Sequence, residues 1–215
     1  MERPTRTVDG TAYSRPSPPA LGSDMNALHQ RNHLTASDVL HGSAVYLRLP
    51  RVDELSFIRT LWGDPDTMAP LGGPADFPQS RAQEWFARMV DPGGPSNCYC
   101  LMFNQDDVPV GEISFHNWDP DQWSADLNVK VLAACRGHGY AKDALHTFLK
   151  FFFGPVGGQL MSDDLAVGNR PGQLLLASVG FERDQGVSDV CRMTMTREKY
   201  VKGYGEPNQA DPRDG

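Results

Sequence analysis

One stretch constrains this chain's fold more than any other: residues 127–145, LNVKVLAACRGHGYAKDAL. Leu127, Val129 and Val131 alternate with Asn128 and Lys130, which is the period of a strand. Ala141, Ala144, Leu145, Phe148, Leu149 and Phe152 then recur at spacings of three and four, which is the period of a helix. Between them stands Cys135-Arg136-Gly137-His138-Gly139-Tyr140. A strand joined to a helix by a glycine-bearing turn presents a row of unpaired backbone N–H groups to an anion. Glycines at 137 and 139 let that backbone approach a phosphate closely, and Arg136 stands beside them. The same joint also serves as a plain tight turn. It is not the dinucleotide fingerprint, whose third glycine would fall on Lys142, and no Gly-Lys-Ser/Thr follows to make a P-loop.

The chain of 215 residues allows one substantial core and is short for two. A net charge of -7 argues against a dedicated nucleic-acid binder, and no dense Lys/Arg run is present. The N-terminus lacks a continuous apolar segment, so neither a signal peptide nor a membrane span is expected. Cys98-x-Cys100 has no matching partner pair, and His29, His33 and His41 have no partners at ligand spacing, so no metal is expected. Reduced thiols in a cytoplasmic protein are the simpler reading of the four cysteines.

Residues 1–42 are rich in Pro, Ser, Gly and Thr at their start and read as an irregular extension, with a short helix over 26–39. Residues 43–49 alternate as the first strand, and Pro50 stops it. Asp53 is the expected N-cap of a helix carrying Leu55, Ile58, Leu61 and Trp62. Residues 63–78 read as a long loop, and Ser80 with Gln83 as a capping box before the stripe Ala82, Trp85, Phe86, Met89. A hairpin over 98–103 and 108–115 follows, then a loop over 116–123 with two tryptophans. The central strand is expected over 125–132. Later come a strand over 159–167, a short helix over 171–179 closed by Gly180, and a last strand over 190–196. The domain spans 43–202, and 203–215 is a polar tail. An α+β domain with a mixed, strongly bent sheet and helices on both faces accounts for this order.

Arg136-Gly137-His138-Gly139-Tyr140-Ala141, after a strand and before a helix, resembles the acetyl-coenzyme A signature of the GNAT N-acetyltransferase superfamily. Its Arg-Gly-x-Gly-Tyr-Ala form is similar to the ribosomal-protein N-acetyltransferase branch, and Asn169 with Gly180-Phe181 reproduces that branch's later block. The resemblance implies a sheet splayed at its central parallel strands, with pantetheine entering the gap. It implies transfer of an acetyl group from acetyl-coenzyme A to a primary amine. The acceptor would be a protein N-terminus or a small molecule, and homodimers are common for the fold. On this sequence it gives the main chain of residues 129–133, Val129, Val131 and Leu132 among them, to pantetheine, residues 136–141 to the pyrophosphate, and the N–H of Val131 or Leu132 to the thioester oxygen. Tyr140 reads as packing within that turn, and His138 as facing solvent. Asn169 is carried over as a pantetheine contact or a plain helix cap.

The resemblance departs at the proton-handling groups. Many members have a tyrosine seven residues after the asparagine, and here that position is Leu176. Asp126 and Glu112 are the expected acceptors of the amine proton. Asp126 paired with Lys130 is the competing reading, and Asp163 with Asp164 either serves a cationic acceptor or forms a wet edge. The alternatives to acetyl transfer are a noncatalytic acyl-coenzyme A-binding or partner-binding domain, or use of a longer acyl donor.

Overall fold

The computed structural model describes residues 34–185 and 189–207. Within them lie eight strands: β1 (Val39–His41), β2 (Val45–Arg48), β3 (Cys98–Asn104), β4 (Pro109–Asp119), β5 (Ser124–Val131), β6 (Leu160–Ala166), β7 (Glu182–Arg183) and β8 (Val190–Thr196). They form one sheet in the order β1-β2-β3-β4-β5-β6-β8-β7. Every pairing is antiparallel except that of β5 with β6, which the crossover through α4 (Tyr140–Phe153) makes parallel. The other helices are α1 (Leu55–Gly63), α2 (Pro65–Met68), α3 (Gln79–Met89), α5 (Arg170–Ser178) and α6 (Arg197–Tyr204).

The two periods of the 127–145 stretch are met as read. In α4 the stripe Ala144, Leu145, Phe148, Leu149 and Phe152 is fully buried against Val45, Leu47, Ile113 and Leu127 on one face of the sheet. Burying each of the larger side chains contributes roughly 1.5–3 kcal/mol. On the opposite face α1 and α3 close a second core over β3 through Ile58, Trp85, Leu101 and Phe103. With helices on both sides, residues 98–103 of β3 are all buried, and the strand reads as a continuous apolar run. All four cysteines are free. No helix of the described residues is long and apolar enough to cross a membrane.

Several local expectations are corrected. The helix expected over 26–39 lies largely outside the described residues; 34–38 form a turn instead, leading into β1. Asp53 does not cap α1, because a 3-10 turn over Val52–Glu54 precedes it and the Glu54 carboxylate accepts from Arg51 N–H at 2.7 Å. Ser80 falls inside the first turn of α3, which starts directly after Pro78 without a side-chain cap. The 63–78 loop contains α2, capped by the Asp64 carboxylate at Thr67 N–H (2.8 Å), and a 3-10 turn over Ala69–Leu71. β4 runs on to Asp119 through an irregularity after His116, so the 116–123 loop is shorter than its polarity suggested. Trp118 is partly buried and packs on Phe152 and Trp123, so it lies against the core. The segment after Thr196 forms α6, capped by Thr196 Oγ1, and Tyr200 is buried against Phe153.

Candidate active site

β5 pairs with β4 from Gly111↔Val131 to His116↔Asp126. Its pairing with β6 covers only Ser124↔Leu160, Ala125↔Met161 and Asp126↔Ser162. Past that point β6 stays with β8 out to Ala166↔Val190, so the two parallel strands part while each remains bonded to its outer neighbour. A cavity of about 220 Å³ occupies the split. Asn128 and Val129 line one side and Asp163 the other, with Asn169, Leu175 and Leu176 from α5 and the turn before it, while Pro70 and Leu71 of the 3-10 turn also border it.

Backbone direction within the split follows from one hydrogen bond. Leu132 N–H donates to Val110 O at 2.9 Å, toward β4. Alternation along a strand then turns the N–H groups of Val131 and Val129 to the opposite edge, which faces the split. Leu132 is therefore not the free donor that the sequence allowed; among the described residues Val131 is.

Beyond β5 the chain makes a 3-10 turn over Ala133–Cys135, held from outside by Thr67, whose Oγ1 accepts from Ala133 N–H at 2.8 Å. Gly137 and Gly139 follow with φ of +85° and +80°, a region that only glycine enters at little cost. A Cβ at either position would meet nothing within 4 Å, so this is an open cradle and not a crowded corner. Among the described residues, no carbonyl or side chain accepts from the N–H groups of Gly137, His138 or Gly139. The next N–H groups belong to the uncapped first turn of α4, whose positive dipole end points the same way. His138 stacks on Tyr140 at 5.4 Å and its Nδ1 lies 3.0 Å from Arg136 O, which stiffens the turn. Tyr140 and Ala141 pack against the core.

Arg136 turns away from this cradle. Its guanidinium donates to Asp66 O at 3.3 Å and Thr67 O at 3.0 Å, so its charge sits at the C-terminal carbonyls of α2. The Asp143 carboxylate accepts from the N–H groups of Ser43 (3.1 Å), Ala44 (2.7 Å) and Val45 (3.0 Å), tying the β1–β2 turn to the first turn of α4. Asn169 caps α5 by accepting from Gly172 N–H at 3.0 Å, while its amide nitrogen has no partner among the described residues and the side chain lines the cavity. Both readings of that residue are compatible with this geometry.

The carboxylates differ sharply. Glu112 is fully buried, and four donors use up its oxygens: Trp62 Nε1 at 2.8 Å, Tyr99 Oη, Asn128 Nδ2 at 3.1 Å and Lys130 Nζ at 2.5 Å. With no lone pair left over, Glu112 is a structural hub under the polar face of β5 and a poor place for an amine proton. Lys130 is thereby paired with Glu112 and not with Asp126. Asp126 accepts from Ser162 Oγ at 2.8 Å and Asn117 Nδ2 at 2.9 Å, with Arg192 at 3.9 Å. Partial burial works against its charge, but these two hydrogen bonds and the charges of His116 and Arg192 outweigh it and hold the carboxyl below its usual range. Asp163 goes the other way: burial, then the charges of Asp164 and Asp126, push its carboxyl up to about 7 against the pull of Lys130.

Sequence reasoning assigned no part here to Thr67, Trp62 or Tyr99. The first two reach the site across 66 and 50 residues of chain, so no local pattern marks them. Tyr99 joins Glu112 through the β3–β4 register, in which Leu101 stands opposite Glu112. Leu176 is buried in the cavity wall, so no hydroxyl stands at that position.

Comparison with known proteins places this fold in a family. A family model described as "Acetyltransferase (GNAT) domain" matches residues 44–182. No curated protein sequence matches the chain. Among solved structures, spermidine N-acetyltransferase from Vibrio cholerae, in complex with CoA and spermine, superimposes with a TM-score of 0.66 at 18% identity, covering 74% of this chain and 99% of that one. A GNAT-family acetyltransferase from Bacillus anthracis gives 0.62 at 14% identity, covering 74% and 99%. A probable acetyltransferase gives 0.62 at 15% identity, covering 74% and 97%. At such identities the structures speak for the fold alone. The family model spans more than half of the 215 residues, and on that ground the chain belongs to the GNAT acetyltransferase family.

Proposed function

We propose that this protein transfers an acetyl group from acetyl-coenzyme A to a primary amine, which attacks the thioester directly in a ternary complex. The observation that carries the reading is the parting of β5 from β6 beside a glycine turn whose N–H groups have no partner among the described residues. Pantetheine, an extended amide-bearing chain, matches an open strand edge. Val129 and Val131 are assigned to it, and Val131 N–H to the thioester oxygen as negative charge develops there. The pyrophosphate is assigned to Gly137, His138 and Gly139 and to the first turn of α4 at Tyr140 and Ala141. Arg136 acts from behind, by fixing the turn to α2. Asn169 serves the pantetheine wall through its free amide nitrogen.

Among the described residues lining the cavity there is no lysine or arginine, which favours acetyl over an acyl group that carries its own carboxylate. Spermidine heads the acceptor panel, because a structural neighbour is a spermidine N-acetyltransferase. A peptide N-terminus comes next, following the ribosomal-protein-like motif at 136–141. The catalytic domain is assigned to 43–202, between an extension over 1–42, whose end adds β1 to the sheet, and a tail over 203–215, whose start completes α6. A cytoplasmic location and a homodimer belong to the same reading, and light scattering on the purified chain checks the latter.

The deciding experiment is calorimetry of acetyl-coenzyme A with the native chain and with Gly137→Val. A β-branched residue at φ +85° distorts the turn and places methyl groups in the cradle, so micromolar binding should be lost while the circular dichroism of the fold is kept. Binding that survives in the variant would move the pyrophosphate elsewhere. Binding without turnover on the amine panel would favour a noncatalytic acyl-coenzyme A-binding domain.

A further inference from the structure

Two ionisable side chains line the cavity between β5 and β6, Asp163 and Asp164. Asp164 is engaged by Arg192 of β8, which donates to it at 3.1 Å. Asp163 is the first residue of β6 past the last pairing with β5, so it stands at the vertex of the split. Among the described residues its carboxylate accepts no hydrogen bond and joins no ion pair. Glu112 and Asp126 are saturated or tied down, as described above. The split thus holds one uncommitted proton-exchanging group, in the slot of the acyl donor.

We propose that Asp163 is the acid of the transfer, giving its carboxyl proton to the sulfur of coenzyme A as the thioester C–S bond breaks. This rests on the acetyl-transfer reading. The amine nitrogen bonds to the acyl carbon, the electron pair of the C–S bond goes to sulfur, and the proton of Asp163 follows it. The surplus proton on the new amide nitrogen passes to water, and water returns one to the carboxylate, so atoms and charge balance without a further reagent. The neutral carboxyl also suits the site, since a carboxylate would repel the thiolate as it forms.

The charged surroundings agree with this role. Asp164 on the same strand and Asp126 across on β5 disfavour the ionised form, and burial disfavours it more. Lys130 on β5 opposes them, but Glu112 of β4 neutralises it at 2.5 Å. Arg192 on β8 is held by Asp164 and Ser162. From α5 and its cap come Asn169, Leu175 and Leu176, none ionisable, and the 3-10 turn adds only Pro70 and Leu71. A departing alkyl thiolate, with a pKa of about 8.5, is a stronger base than this carboxyl at about 7, so the proton moves downhill.

The test has a binding arm and a kinetic arm. Acetyl-coenzyme A is titrated calorimetrically into the native chain and Asp163→Asn near neutral pH, in two buffers of different ionisation heat. Native binding should take up a fraction of a proton, because pantetheine further dries the carboxyl. The variant should bind within about threefold and take up none. Acetyl-coenzyme A turnover, by spermidine or by water, should fall about ten- to a hundredfold in the variant, the low end of general-acid effects because thiolate leaves readily. The native kcat should decline as pH rises through about 7, and that decline should vanish in Asp163→Asn. A variant that binds normally and turns over within twofold of native, or keeps the same proton uptake and pH profile, would overturn the proposal alone. A native chain that binds no acetyl-coenzyme A would overturn the acetyl-transfer reading and this one with it.

Discussion

Lys130 brings its ammonium to 2.5 Å from Glu112 Oε1, and the Glu112 side chain has no solvent exposure. Such a pair is expensive to break from one side, because the remaining charge is stranded in a dry site. Lys130→Met should therefore cost about 3–5 kcal/mol, read as a lower urea midpoint at unchanged slope. Asp163 illustrates the opposite economy. Its unfolded-state pKa is about 3.9, whereas the folded chain holds its proton up to about 7. Between those values the folded state binds more protons than the unfolded one, so stability falls as pH rises and levels off above the folded value. Asp163→Asn has no charge to bury. Its melting temperature should exceed that of the native chain by a margin that grows from about pH 4 to about pH 7 and then stays constant; parallel melting profiles would contradict the burial of this carboxyl. That Asp163 stands at the vertex of the split was not legible in residues 160–166, where it reads as one of two adjacent acids. Its access to the split depends on where β5 stops pairing, a property of two strands that are distant in sequence.

At the scale of elements, α4 supports the site from beneath. Phe152 is fully buried and contacts Phe115, Trp118 and Phe153, while a Cβ on Gly158 would come within 2.2 Å of its ring. Phe152→Ala should destabilise by about 3–5 kcal/mol. Gly158→Ala should also destabilise, by overpacking. The double variant should lose less than the sum of the two, since the truncated side chain leaves room for the new methyl; denaturant melts of all three chains check this. Elements such as α4 and β5 were legible because their burial follows a local period, and the glycine turn because its backbone angles demand glycine. β1 and α2 were not. Each has four residues or fewer, too short to show a period. β1 is held by its pairing with β2, whose entry Asp143 fixes, and α2 by Asp64 and Arg136. The caps expected at Asp53 and Ser80 failed for a related reason: Glu54 and Pro78 set those starts one or two residues away.

Across the whole molecule, the sheet has its shortest strands at its margins, β1 with three residues and β7 with two. Among the described residues, an open strand edge also lies inside, along residues 127–131 of β5, which pair with β4 on one side while β6 has turned away on the other. An open strand edge normally invites the sheet of another molecule, and most proteins shield it with charges, bulges or a covering helix. Here the neighbours on both sides are anchored to outer strands, so the opening admits one extended chain and excludes a second sheet. The molecule can keep a row of hungry amides in readiness through its life in a crowded solution without becoming sticky, because the geometry that makes the edge available to a thin guest closes it to a broad one.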